Sequence, residues 1–159
     1  DFGRIHVRKN ANIQDLCTVH GFPASITLIE EYGHIGHGAI LHGCKIRKNV
    51  LVGMNSVILD DAEIGENTII GANSTVKAKA VIPENVLALG SPAKVIRVLE
   101  AQEIEWKRKG TEEYIRLAER SRLTLKEVQP LAHEYSERKT YHDFESEHVI
   151  KAALDKAQI

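Results

Sequence analysis

The chain has two cysteines, no excess of either charge and no long apolar run, and each shortage closes a class of function. With 21 Lys and Arg against 22 Asp and Glu, the formal charge is -1, which supplies no field for gathering nucleic acid. No apolar stretch approaches the roughly 18 residues that would suggest a membrane span. Cys17 and Cys44 lack the short spacing of a metal-binding pair and read as core thiols of a reducing, cytoplasmic compartment rather than as a disulfide. An initiating Met and a signal-like segment are missing too. The chain opens on Asp1, so it reads as a piece whose true start lies upstream.

What the first hundred residues do have is a period of six. From Ile40 an aliphatic residue recurs at every sixth position: Ile40, Ile46, Val52, Ile58, Ile64, Ile70, Val76 and Ile82. Four residues after each stands a small or compact one, at Cys44, Val50, Ser56, Ala62, Thr68, Ser74 and Ala80. A period of six fits neither the 3.6 of a helix nor the 2 of a half-buried strand; it belongs to a solenoid. One hexad supplies one short strand and a corner, and three strands close a coil. Gly53, Gly65 and Gly71 follow the aliphatic directly, where a missing Cβ is expected to ease the turn between faces.

Near residue 100 the composition changes. Residues 1–99 hold 10 Lys and Arg and 9 Asp and Glu, leaving 11 and 13 for the last sixty positions. The pattern predicts a helix over Glu100 to Lys109, a break at Gly110 with Thr111 as N-cap, and a second helix from Glu112 to about Val128, ahead of Pro130. Ile104, Trp106, Tyr114, Ile115, Leu117, Ala118, Leu123 and Leu125 offer a packing stripe. The expected organisation is a β-helix over 1–99, helices packing on it over 100–130, and a polar tail over 131–159 with a short helix near Glu147 to Lys156.

Three histidines, His20, His37 and His42, lie inside the repeat region. Neutral imidazole is a good ligand for zinc and similar ions, and three ligands with a fourth position open is the arrangement that catalysis requires. His37 and His42 are separated by a corner, so one monomer would struggle to aim both at one ion. Three-fold association solves this by bringing unlike faces of two subunits together. His20 precedes His37 by nearly one coil and is expected to stack near this region from an adjacent coil. His34 reads as a bystander or an outer-shell group, and His6, His133, His142 and His148 as surface residues.

At these residues the chain resembles the γ-class carbonic anhydrase family of hexapeptide-repeat proteins, and within it the branch tied to phenylacetic-acid degradation and the carnitine operon. The likeness is carried by Asn12-Ile13-Gln14-Asp15, Val19-His20-Gly21, the run Gly33 to Cys44, Val52-Gly53-Met54-Asn55-Ser56-Val57, Gly90-Ser91-Pro92-Ala93-Lys94 and the stretch Trp106 to Tyr114. The resemblance implies a left-handed parallel β-helix, followed by C-terminal helices, in a homotrimer. It implies that His20 and His42 of one subunit and His37 of the next bind Zn2+, or Fe2+ or Co2+. Gln14 and Asp15 match the polar pair beside the metal-bound water. Asp1 matches an interface aspartate whose arginine partner would precede this chain, along with the first coils.

Three neutral ligands leave the ion's charge free to polarise water to hydroxide near neutral pH. That nucleophile could attack carbon dioxide or a thioester carbonyl. The loop after His20 reads Gly21-Phe22-Pro23-Ala24-Ser25-Ile26-Thr27 and carries no acid, whereas the archaeal-type family members hold a proton-shuttling carboxylate there. Phe2 likewise stands where those enzymes have a second acid, and Glu30 and Glu31 read as caps of a solvated turn. Apolar Phe2 and Phe22 suit a larger acyl group, with Met54, Asn55 and Tyr114 as further pocket candidates. The expectation is a metal-dependent hydrolase of acyl-coenzyme A thioesters. Its rivals are a γ-type carbonic anhydrase, a hexapeptide-repeat acyltransferase using His20 or His42 as general base, and a non-catalytic trimeric accessory protein. The expected partners are two further copies and a small-molecule substrate, with neither nucleic acid nor membrane.

Overall fold

Every third strand of this chain lies in the same sheet, which is the direct product of the six-residue period. The computed structural model describes residues 2–130; Asp1 and the expected tail helix near Glu147 to Lys156 fall outside the described residues. The strands are β1 (Arg4–Val7), β2 (Asn12–Ile13), β3 (Thr18–His20), β4 (Ile26–Ile29), β5 (His34–Ile35), β6 (Ile40–His42), β7 (Lys45–Ile46), β8 (Leu51–Val52), β9 (Val57–Ile58), β10 (Glu63–Ile64), β11 (Ile69–Ile70), β12 (Thr75–Val76), β13 (Val81–Ile82), β14 (Val86–Leu89) and β15 (Lys94–Val98). A helix, α1 (Ala101–Thr124), follows.

Parallel pairing builds three sheets, β1-β4-β7-β10-β13, β2-β5-β8-β11-β14 and β3-β6-β9-β12, and β15 adds antiparallel to β14. The result is a parallel β-helix with a C-terminal helix. Its core is filled from the three sheets in turn by Ile46, Val52, Ile58, Ile64, Ile70, Val76 and Ile82, all buried, with Cys44, Val50, Ser56, Ala62, Thr68 and Ser74 filling the second inward position. The buried hydroxyls are satisfied by neighbouring coils: Ser56 Oγ donates to the Gly71 carbonyl at 2.9 Å and Thr68 Oγ1 to that of Pro83 at 2.7 Å. Burial pushes the Cys44 thiol up to about 12, in keeping with an inert core position.

The period does not start where the sequence suggested. Ile40 is 38% exposed, and its neighbour Leu41 is the buried residue. The corner at His42 and Gly43 is one residue short: Ile40 pairs with Val57, seventeen residues on, whereas Val57 pairs with Thr75, eighteen on. The preceding coil is longer, because the loop 21–25 is inserted after His20 and sets Thr18 opposite Ile40, twenty-two residues on. His20 therefore stacks on His42 from the adjacent coil.

The corners are not made by Gly53, Gly65 or Gly71 either, although Gly38 and Gly43 hold two earlier ones at φ of 70 and 62°. Asn49, Asn55, Asp61, Asn67, Asn73, Lys79 and Asn85 recur every six residues at φ of 55 to 62°, and Asn and Asp tolerate this left-handed region better than other side chains. Gly53 serves a different need. A Cβ there would come within 2.5 Å of the Ala72 amide nitrogen on the next coil, so close stacking, not turning, excludes a side chain. Asparagines on one edge also bond along the axis: Asn49 donates to Asn67 and Asn67 to Asn85, each at 2.9 Å.

The helix runs unbroken through Gly110, where a break was expected. Glycine costs a helix interior about 1 kcal/mol, and anchors on both sides hold it: Lys107 and Thr111 are both buried. Thr111 is thus not a cap; its hydroxyl donates back to the Lys107 carbonyl. Lys107 Nζ donates to the Tyr32 carbonyl at 2.6 Å and to Asn49 Oδ1 at 2.9 Å. The helix start is fixed by Glu103, which accepts from the Glu100 amide and from both terminal guanidinium nitrogens of Arg97. The apolar stripe is only partly used. Ile104, Trp106 and Ile115 are half-buried, while Tyr114, Leu117, Ala118, Leu123 and Leu125 are exposed. The helix ends at Thr124, short of Val128, as Leu125 turns extended and its amide donates to Ser121.

Candidate functional site

Parallel register brings His20 and His42 into direct opposition on β3 and β6. Their rings stack with centroids 4.8 Å apart, and Phe22, from the inserted loop, packs edge-on against both at 5.6 and 4.9 Å. The loop that displaced the register thus also supplies an apolar wall. His42 Nδ1 lies 2.7 Å from Asp60 Oδ1. A carboxylate only accepts, so Nδ1 carries a proton, and in the neutral ring Nε2 presents its lone pair. Asp60 was not among the sequence candidates, although its place one coil of eighteen residues beyond His42 is a readable signal.

His37 sits on the corner after β5 and is held by the neighbouring coil. Its amide donates to Gln14 Oε1 at 3.1 Å, and its Nδ1 is 3.4 Å from Asp15 Oδ2. The structure therefore joins Gln14 and Asp15 to His37, and separately joins Phe22 and Asp60 to the His20 and His42 pair. Met54 is exposed and Asn55 occupies a left-handed corner whose amide donates to the His37 carbonyl. Phe2 is 83% exposed. Tyr114 points its ring at His34 rather than at the three histidines, centroids 5.0 Å apart.

His34 is not a bystander. Its Nε2 accepts from Gln14 Nε2 at 2.9 Å and its Nδ1 meets Thr111 Oγ1 at 3.2 Å. Burial, with Lys107 and then His37 adding positive potential, lowers its pKa to about 4, so the ring is neutral at physiological pH. Glu30, offered as a turn cap, accepts from Arg47 and from the Lys48 amide at 2.8 and 3.0 Å.

Can these residues hold a metal? Among the described residues of one chain, no three ligand-type side chains converge. Two imidazoles do face each other, and one has its Nδ1–H fixed by a carboxylate, the usual way a protein orients a histidine ligand. His37 has a carboxylate beside the same ring nitrogen. The donor set fits a divalent ion of the zinc type, provided that His37 arrives from another copy. Among the described residues no helix is long and apolar enough to cross a membrane.

Residues 43–78 match the family model for the bacterial transferase hexapeptide (six repeats). Over 131 residues the chain is 48% identical to the carnitine operon protein CaiE of Salmonella newport, covering 82% of this chain and 66% of that protein; the chain thus spans about two thirds of that relative's length. A structure from Bacillus cereus, described as a "putative acetyltransferase", is 41% identical with a TM-score of 0.71, covering 73% of this chain and 67% of its own. A hexapeptide transferase family protein from Anaplasma phagocytophilum is 36% identical with a TM-score of 0.69, covering 76% and 69%.

Proposed function

Since this chain belongs to the bacterial transferase hexapeptide family, we propose that it hydrolyses acyl-coenzyme A thioesters at a metal site shared between subunits of a trimer. The observation that carries this reading is the pairing of His20 with His42 under Phe22, with Asp60 fixing one imidazole. His20 and His42 of one subunit and His37 of the next would hold the ion. Bound there, zinc, iron or cobalt supplies Lewis acidity toward water and an acyl carbonyl.

The chain's own residues do the rest. Asp60 keeps His42 in the tautomer that a ligand needs, and Asp15 biases His37 the same way. The Gln14 amide, bonded at its oxygen to His37 and through one N–H to His34, retains a second N–H for a substrate or water oxygen. Phe22 excludes water from one side of the histidine pair and offers an apolar contact to an acyl chain. With Glu30 tied to Arg47 and the Lys48 amide, it is not a ready proton shuttle, which supports a thioester over carbon dioxide as substrate. The setting of this reading is phenylacetate- or carnitine-type catabolism.

A second reading, acyl transfer with His20 or His42 as general base, is supported by the names of the similar structures. Metal separates the two. Elemental analysis of protein purified without chelator should give about one divalent ion per subunit in the wild type and none in His37→Ala, together with hydrolysis of a panel of alkyl- and aryl-acyl-coenzyme A thioesters. A folded trimer without metal that transfers the acyl group to an acceptor would overturn hydrolysis in favour of transfer. Metal without turnover of any thioester or of carbon dioxide would leave the accessory role.

A further inference from the structure

A continuous chain of hydrogen bonds runs from the middle of α1 to Gln14, and the chemistry of its donors and acceptors fixes the direction of every bond. The His37 amide can only donate, so the Gln14 atom 3.1 Å away is the carbonyl oxygen and its NH2 faces His34. That NH2 can only donate, so His34 Nε2 is the bare nitrogen. The proton of the neutral imidazole is then on Nδ1 and is donated to Thr111 Oγ1, 3.2 Å away. The Thr111 hydroxyl proton goes to the Lys107 carbonyl at 3.3 Å. No member can be reversed without placing two donors or two acceptors face to face.

The chain is also braced. Thr111 is fully buried, and the Tyr114 ring meets the His34 ring at an interplanar angle of 89°, which restrains the imidazole from the side. One turn earlier, buried Lys107 clamps the helix to Tyr32 and Asn49. A carboxamide has two nearly isosteric orientations, and only the hydrogen bonds around it choose between them.

We propose that His34 and Thr111 are positioning residues for Gln14: docked α1 sets the orientation of the carboxamide, and through it the reacting face beside His37. The inference rests on the reading that Gln14 works at that face, but its physical content can be measured without any substrate. Long-range proton–nitrogen NMR correlation of the metal-free protein should show His34 as the Nδ1–H tautomer. A His34 carrying its proton on Nε2 would overturn the proposal in the wild type alone. Thr111→Val removes the acceptor at nearly constant shape; it should mix the His34 tautomers and broaden the Gln14 side-chain amide signals, and Thr111→Ser should restore both. In acyl-thioester assays Thr111→Val should lower kcat about tenfold or more, with KM and metal content unchanged. A wild type inactive on thioesters would defeat the hydrolase reading while the NMR signals still decide the relay. Unchanged His34 and Gln14 signals in folded Thr111→Val would sink it.

Discussion

Lys107 Nζ donates to Asn49 Oδ1 at 2.9 Å and so caps the open end of an asparagine ladder that continues through Asn67 to Asn85. The rung before Asn49, one short coil earlier, is Tyr32, which has the same left-handed backbone but no side-chain carboxamide. Lys107 fills that place from the helix, bonding the Tyr32 carbonyl as well. A single buried lysine, its pKa lowered by burial to about 7, thus ends the ladder and anchors α1.

Lys107→Ala leaves two oxygens without their donor inside the helix interface. The expected loss is about 1–3 kcal/mol per group left unmade, partly offset because the Lys107 amino group no longer has to be desolvated. Denaturant unfolding and amide exchange should show net destabilisation, with protection lost first along α1. A variant as stable as the wild type would mean that the helix is held by its half-buried apolar residues alone.

Protonation of His34 supplies a pH dependence. Its folded-state pKa is about 4 against an ordinary 6.5, so between these values the unfolded chain binds a proton that the folded chain refuses. Stability associated with the neutral ring is complete above pH 6.5 and falls as the pH drops toward 4, by up to about 3 kcal/mol. Guanidinium unfolding at pH 7, 5.5 and 4.5 should show this slope, and His34→Gln should flatten it. An equal slope in both proteins would place the acid sensitivity elsewhere.

Two glycines should respond in opposite directions. Gly53→Ala drives a methyl group to 2.5 Å from the Ala72 nitrogen, against backbone that cannot yield; a loss of about 1–3 kcal/mol or more follows from overpacking. Gly110 has nothing within 4 Å of the added Cβ and lies inside α1, so Gly110→Ala should gain about 0.5–1 kcal/mol. Thermal melts of the two variants are the check, and stabilisation by Gly53→Ala would contradict the coil stacking described above.

Asp60→Asn keeps the shape beside His42 but loses the carboxylate that fixes its tautomer. Loss of such a partner typically weakens metal affinity by about 10–100-fold. Competition with a chromophoric chelator should detect this for added zinc, with the melting temperature of the metal-free protein little changed. Equal affinity in both proteins would remove His42, or at least its Asp60 support, from the ligand set.

The repeat was legible because inward positions of a solenoid must be apolar or small at a fixed period, and local sequence records that directly. The inward aliphatics from Ile46 to Ile82 and the small residues from Cys44 to Ser74 lie where the spacing put them. Ile40 failed because a one-residue deletion at a corner shifts the register without disturbing the apparent period, as Ile40 and Leu41 are both aliphatic. The glycines misled for a related reason: Gly53 shows that a missing Cβ is needed, but only the next coil reveals that the need is room for a backbone rather than a turn.

By itself, then, the sequence determined the solenoid, its hexad core and the identity of the histidines, since each depends on residue type at short range. The tertiary structure alone decided how they are held: the grouping of His20 with His42 that the resemblance implied becomes a direct stack set by coil register. The coil of twenty-two residues, lengthened by the inserted loop, puts His20 opposite His42 and sets the His37 corner beside Gln14 and Asp15. Contacts from α1 to the β-helix span some 58 to 77 positions, from Lys107 to Asn49 and from Thr111 to His34. No local pattern encodes those partners, and they turned an apparent helix cap and an apparent bystander into members of one hydrogen-bonded chain.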